Sequence, residues 1–168
     1  MNDLLILAML LRGPTHGYQL KREIGTLVGG TKLHNNQLYP ALRRFVKNRW
    51  VTRRAAAGER GQTRHLYSLT APGRQELLAR ASAFTEDDAV SAGSFWIRVG
   101  LFSLLSADDR TRILEARERH LRQRVAALSD VEARHRLDRY AAAITAHAKA
   151  TLQAELDWIG QLRRVSDH

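Results

Sequence analysis

The chain has 168 residues, 44% of them hydrophobic, no cysteine and a formal net charge of +10. The apolar share supplies a core for one medium domain or for a small domain with an extended appendage, which excludes general disorder; the lack of cysteine excludes disulfides, thiolate metal sites and thiol nucleophiles, and fits a reducing cytoplasm. The charge is gathered at one end: residues 1–82 hold 14 Lys and Arg against 4 Asp and Glu, a net +10, and residues 83–168 hold 13 against 13. A cationic block confined to one segment is an electrostatic footprint for a polyanion, nucleic acid first among them.

The apolar run that opens the chain reads as a buried first helix. Asp3 stands where a signal peptide is positive, no small-residue cleavage site follows, and Arg12-Gly13-Pro14 ends a run too short to cross a bilayer, so no membrane association is expected. Thr15 or His16 opens a second helix with Leu20, Ile24, Leu27 and Val28 at three- and four-residue steps, ended by Gly29-Gly30. After a connector, Thr31–His34, comes a third helix over 35–48, with Asn35 or Asn36 as its cap and Pro40 in its first turn. Leu38, Ala41, Leu42, Phe45 and Val46 share one face of it; Asn36, Gln37, Pro40, Arg43, Arg44 and Lys47 share the other. Val51–Ala57 and Thr63–Leu69 have strand character around the glycine-bounded tip Gly58–Gln62, and Thr70 caps a fourth helix with Leu77 and Leu78 inward. Three helices followed by a hairpin make a winged helix-turn-helix domain over residues 1–82. Its third helix is about 20 Å long and slim enough for a major groove.

Three stretches in this order, His16-Gly17-Tyr18-Gln19-Leu20, Gln37-Leu38-Tyr39-Pro40-Ala41-Leu42 and Tyr67-Ser68-Leu69-Thr70-Ala71-Pro72-Gly73-Arg74, resemble the PadR family of bacterial transcriptional regulators. The resemblance covers residues 4–80; beyond them it extends only to the helical layout and a late Trp158. It implies a dimeric repressor with a winged-helix head and a helical dimerisation region, in some members responsive to small aromatic compounds. The chain departs from the family pattern at His34-Asn35-Asn36, where a small cap and a glycine are usual. It departs again at Arg49-Trp50-Val51, where a Gly-Leu-Val turn usually enters the wing.

The DNA-binding candidates follow from position. Arg43, Arg44 and Lys47 on the polar helix face are expected at phosphates, and Asn35, Asn36 and Gln37 at the helix start reach base edges or phosphate. Tyr39 is a phosphate donor or a half-buried core residue, and Tyr18 and Lys21 are weighed alike, the resemblance favouring DNA for Tyr18. In the wing, 58–64, Arg60, Gln62 and Arg64 lie at or beside the tip, where phosphate or minor groove is within reach.

Residues 83–168 read as a helical region for dimerisation and, as a candidate, effector sensing. An acidic connector leads to an apolar helix from Phe95 to Leu105, whose Phe95, Trp96 and Phe102 are the candidate effector residues. Ser106 with Asp109 starts a helix to about Leu128, and Asp130 starts a last helix of roughly 34 residues, about 50 Å. Its stripe, Leu137, Ala141, Ile144, Ala148, Leu152, Leu156 and Ile159, with Trp158 beside it, is longer than the preceding helix can cover, so a second subunit is expected on it. A lone αα-hairpin is the competing reading.

The sequence holds no phosphate loop, nucleophile elbow or paired metal-ligand histidines, so neither enzyme activity nor a cofactor or metal is expected. Nor does it carry the aromatic-studded sheet that stacks single-stranded RNA bases. The fold class is therefore mainly α with a small β-hairpin, and the expected partners are double-stranded DNA, a second copy and a small aromatic effector. The alternative is an interaction module whose basic face docks an acidic protein.

Overall fold

The computed structural model describes residues 2–27, 34–57 and 63–166. They divide into two compact units, Met1–Ala83 with Trp96–Leu104, and Phe84–Phe95 with Leu105–His168. The architecture is mainly helical, as the sequence led us to expect, and the expected two-stranded hairpin is part of a three-stranded antiparallel sheet. No helix among the described residues is long and apolar enough to cross a membrane.

In the first unit α1 (Asn2–Leu10) buries Leu4, Leu5, Ile6, Leu7, Met9 and Leu10. A helix apolar on nearly every side belongs inside a core, and α1 packs against α2 (Gly17–Leu27) and α4 (Ala71–Ser82). Thr15 and His16, expected to open the second helix, instead form a two-residue strand, β1, paired with β3 (Thr63–Leu69): Thr15 lies opposite Tyr67 and His16 opposite Leu66. Gly13 makes the turn into β1 at φ +134°, a conformation that side-chain-bearing residues rarely adopt. The wing hairpin pairs β2 (Val51–Ala57) with β3 from Val51 opposite Leu69 to Ala57 opposite Thr63. Sheet order is β1-β3-β2.

Helix α3 (Asn35–Lys47) sinks Leu38, Ala41, Leu42 and Phe45 into this unit. Each of the larger three contributes about 1.5–3 kcal/mol relative to exposure. Two expectations about its start are corrected. The N-cap is His34, in extended backbone, rather than Asn35 or Asn36. Pro40 lies beyond the first turn, where it removes the N–H that the Asn36 carbonyl would otherwise accept; the exposure of Asn36 lets solvent make up that bond.

The end of α3 is a Schellman arrangement built without glycine. Trp50 N–H donates to the Phe45 carbonyl at 2.9 Å and Arg49 N–H to the Val46 carbonyl at 3.0 Å, with Arg49 at φ +61°. The accompanying apolar contact is Phe45 against Trp50, ring centroids 5.7 Å apart. Helix α4 docks on the same corner. Thr70 N–H donates to the Trp50 carbonyl at 3.0 Å, and Thr70 Oγ1 accepts from Gly73 N–H at 3.0 Å, capping α4. A Cβ on Gly73 would stand 1.9 Å from the Trp50 carbonyl oxygen, so this approach requires glycine. Arg98 serves the other end of α4. Buried, it donates from Nε to the Ala81 carbonyl at 3.2 Å and from Nη2 to the Ala83 carbonyl at 2.9 Å, meeting backbone acceptors at a helix end.

The second half departs from expectation in three places. The acidic connector contains a short helix, α5 (Glu86–Val90), capped reciprocally by Thr85 and Asp88, so its acids sit where a helix N-terminus favours them. The apolar run does not form one buried helix: α6 (Ala92–Val99) ends near Gly100, a single 3₁₀ turn follows at Phe102–Leu104, and Trp96 is 56% exposed. Finally, Asp130 starts nothing. It lies within α7 (Ala107–Arg134), where its carboxylate pairs with Arg134 one turn on, at 2.9 Å. The last helix, α8 (Arg139–Ser166), begins after Asp138, whose Oδ1 accepts from Tyr140 and Ala141 N–H at 2.8 and 2.9 Å. These bonds hold the Asp138 carboxyl below its ordinary pKa.

Ser106 caps α7 as expected, accepting from Asp109 N–H at 3.1 Å. Helices α7 and α8 form an antiparallel hairpin, marked outward from its turn by Glu132–Lys149, Arg117–Glu155 and Glu118–Arg163. Arg117 is buried and bidentate to Glu155, at 3.0 and 2.9 Å, and also donates to the Ala89 and Val90 carbonyls. Both helices have 28 residues. The length mismatch expected between them, and the argument for a second subunit that rested on it, therefore fall away.

Candidate nucleic-acid interface

Helix α3 turns a polar face outward, and its middle is Asn36, Arg43 and Lys47, all exposed and without a hydrogen-bond or ion-pair partner among the described residues. Arg44, one residue round the helix, is differently placed. Its guanidinium donates to both oxygens of Asp3 on α1, each at 2.7 Å, and lies 5.5 Å from the Phe45 ring centroid. Asp3 also faces Arg80 of α4 at 3.7 Å, and Arg80 in turn pairs with Glu76 and covers the Trp50 ring. Arg44 thus ties α3 to α1 and α4. Its sequence looks like that of Arg43, and nothing local in it reveals a carboxylate 41 positions away.

The amides at the start of α3 are also sorted by their partners. Lys21 Nζ of α2 donates to Asn35 Oδ1 at 2.9 Å, and His34 N–H donates to Gln37 Oε1 at 3.4 Å. A bidentate contact to adenine needs a free donor and a free acceptor on one amide. Asn36 keeps both; Asn35 and Gln37, as held here, offer donors.

On the other flank of α3 lies a cleft of about 520 Å³ between the start of α2, Tyr39 and strand β3. Gly17 shapes its base, because a Cβ there would come within 3.0 Å of Tyr39 Cε1. Tyr18, 72% exposed, and Arg22 stand one turn apart on α2, and Arg64 and His65 come from β3. His16 donates from Nδ1 to the His65 carbonyl at 3.1 Å, and Arg53 of β2 donates to His65 Nε2, so both imidazoles are held by the sheet. Tyr67 forms part of the lining. Burial pushes its phenol above the ordinary tyrosine pKa, against the lowering effect of Arg53.

The sequence-derived candidates are therefore brought together in part. Tyr18, Tyr39 and Arg64 converge on the cleft, Lys21 and Asn35 meet each other, and Asn36, Arg43 and Lys47 form a row. Arg60 and Gln62, with the rest of the tip 58–62, lie outside the described residues, as do Val28–Leu33. Arg22, His16 and His65 were missed, because a pairing as short as β1 with β3 leaves no periodic signal in sequence.

The second-half candidates are scattered. Phe95 is fully buried against Trp158, edge to face at 5.9 Å, and belongs to one unit, whereas Trp96 and Phe102 belong to the other. Along α8, Ile159 is buried, and Ala141, Ala148, Leu152, Leu156 and Trp158 are partly covered; Leu137, expected on this helix, lies in the turn before it, because α8 starts only after Asp138. Ile144 is 71% exposed. His120 on α7 has a lowered pKa, first from burial and then from Arg117 and Arg124.

Residues 6–79 match the model of the transcriptional regulator PadR-like family. No curated protein matches the chain. Among solved structures, a protein from Thermoplasma acidophilum is 27% identical over 48% of this chain and 77% of its own, with a TM-score of 0.45. A transcriptional regulator from Clostridium thermocellum is 26% identical over 45% and 73%, with a TM-score of 0.41. Bacillus subtilis PadR, solved in complex with operator DNA, is 18% identical over 98% of each chain, with a TM-score of 0.45.

Proposed function

We propose, from the match of residues 6–79 to the transcriptional regulator PadR-like family, that the protein is a dimeric repressor that reads a roughly palindromic operator in cytoplasmic DNA. The family's activity is regulation of transcription, not catalysis. The observation that carries the reading is the unpartnered row Asn36, Arg43 and Lys47 on α3, in a segment that holds the whole +10 charge. Arg43 and Lys47 serve phosphates and supply affinity. Asn36, with its amide free on both sides, reads a base edge from the helix start. The wing supports the helix from beside it, and Arg44 acts within the fold.

Two-fold pairing of subunits presents two such helices to one duplex, which is why the site should be an inverted repeat. Selection from random-sequence duplexes tests this directly. An enriched inverted repeat, bound more weakly as salt rises, is the expected result. Failure to bind any duplex even at low salt would sink the reading and leave its basic face to an acidic protein.

A further inference from the structure

We propose that the cleft between α2, α3 and β3 seats a single phosphodiester of the DNA backbone, held jointly by Arg22 of the helix-turn-helix and Arg64 of the wing, with the Tyr18 hydroxyl as a third donor. The proposal rests on the DNA-binding reading above and adds to it a site shared between two elements.

Three observations lead to it. Arg22 and Arg64 line one cleft of about 520 Å³, and among the described residues no carboxylate lines it with them. Glu23, the one acid of α2, accepts from the Gln19 amide at 3.2 Å. The donors are also unspent: Tyr18, Arg22 and Arg64 are exposed, and their side chains have no hydrogen-bond or ion-pair partner among the described residues. By contrast His65 is tied to Arg53, and Tyr39 and Tyr67 are more deeply set, so these three form walls that keep the donors apart and facing one space. Two guanidiniums converging from separate elements suit one tetrahedral anion with several acceptor oxygens, because each can take a different edge of it. A duplex backbone offers that group immediately beside the groove that α3 enters. Held from both sides, the phosphate would also fix the wing against the helix-turn-helix.

Sharing makes a countable prediction. The slope of log affinity against log salt measures the number of phosphates neutralised, about 0.9 per phosphate on duplex DNA. Full-length wild type, Arg22→Gln, Arg64→Gln and the double variant are compared by anisotropy titration, across a potassium chloride series, on a duplex recovered by selection. With one shared phosphate per half-site, each single variant leaves the slope nearly unchanged, and the double variant lowers it by about 0.9 per half-site, about 1.8 for the dimer on its inverted repeat. The Arg22→Lys/Arg64→Lys chain keeps the wild-type slope. Replacing the symmetry-related backbone phosphates of both half-sites by methylphosphonates, scanned along the duplex, brings wild type down to the double variant at one position per half-site.

A drop of about 1.8 per half-site, about 3.6 for the dimer, would assign the two arginines to separate phosphates and overturn the proposal. An unchanged slope in the double variant would make the cleft a solvated groove. Both outcomes leave the DNA-binding reading standing, whereas wild type that binds no duplex removes the two together. The substituted residues are exposed, so thermal melting should match wild type and separate a binding effect from a folding one.

Discussion

At Arg49 the backbone takes φ +61°, the left-handed region, for a residue that has a Cβ. The conformation is imposed from both sides: the chain must leave α3 so that Trp50 can cover Phe45, and its carbonyl must then meet Thr70 N–H. Left-handed geometry costs an L-residue roughly 1–2 kcal/mol, and glycine avoids that cost at the price of a more flexible unfolded chain. Arg49→Gly should therefore stabilise the protein by about 0.5–1 kcal/mol, read as a higher denaturation midpoint with an unchanged slope. A lower midpoint would mean that the Arg49 side chain contributes more than its backbone strain removes. Gly73 shows the opposite case in the same corner: there the glycine is present, and the 1.9 Å approach to Trp50 explains why.

The elements that the sequence disclosed were those with strong periodicity and flanking signals. Helix α3 was legible from its apolar stripe, the hairpin from its alternation and glycine-bounded tip, and α4 and α7 from Thr70 and Ser106, because caps and stripes are local. Signals decided at long range were not legible. Strand β1 is two residues whose only cause is a neighbour 50 positions on, and the end of α7 at Arg134 was hidden because Asp130 resembles a cap until Arg134 is seen to pair with it. The candidate site follows the same rule. Exposure of Asn36, Arg43 and Lys47 could be read from the helix face, whereas the engagement of Arg44 by Asp3 could not. This sets a test on one helix. Arg43→Gln and Lys47→Gln should each lower the salt slope of duplex binding by about 0.9 per half-site, about 1.8 for the dimer, while Arg44→Gln should leave it unchanged. Because the Arg44–Asp3 pair is half-exposed, its loss should shift stability by no more than about 1 kcal/mol. A full slope decrement in Arg44→Gln would return that residue to the phosphate contacts.

For the molecule as a whole, the proposed dimer requires a surface that joins two subunits. The equal lengths of α7 and α8 mean that the hairpin covers much of its own apolar surface, as the burial of Ile159 and the Phe95–Trp158 contact show. Toward the turn it leaves Ile144 71% exposed, with Tyr140 at 67% one turn before it and Val131 at 41% on α7, whereas at the far end of α8 Val165 stands bare by itself. A branched aliphatic and an aromatic side chain held open together on a rigid hairpin are the residues that a second copy would cover. We therefore expect Ile144→Glu to yield a monomer by light scattering, at a concentration where wild type is a dimer. Its helical circular dichroism should stay unchanged, because position 144 faces away from α7. A monomer reads one half-site at a time, so its affinity for the inverted repeat should fall by about 10²-fold or more, the loss of effective concentration between linked sites. Its affinity for an isolated half-site should not change. If Ile144→Glu remains a dimer, the interface lies elsewhere on the chain; if wild type is itself monomeric, the palindromic operator loses its physical basis.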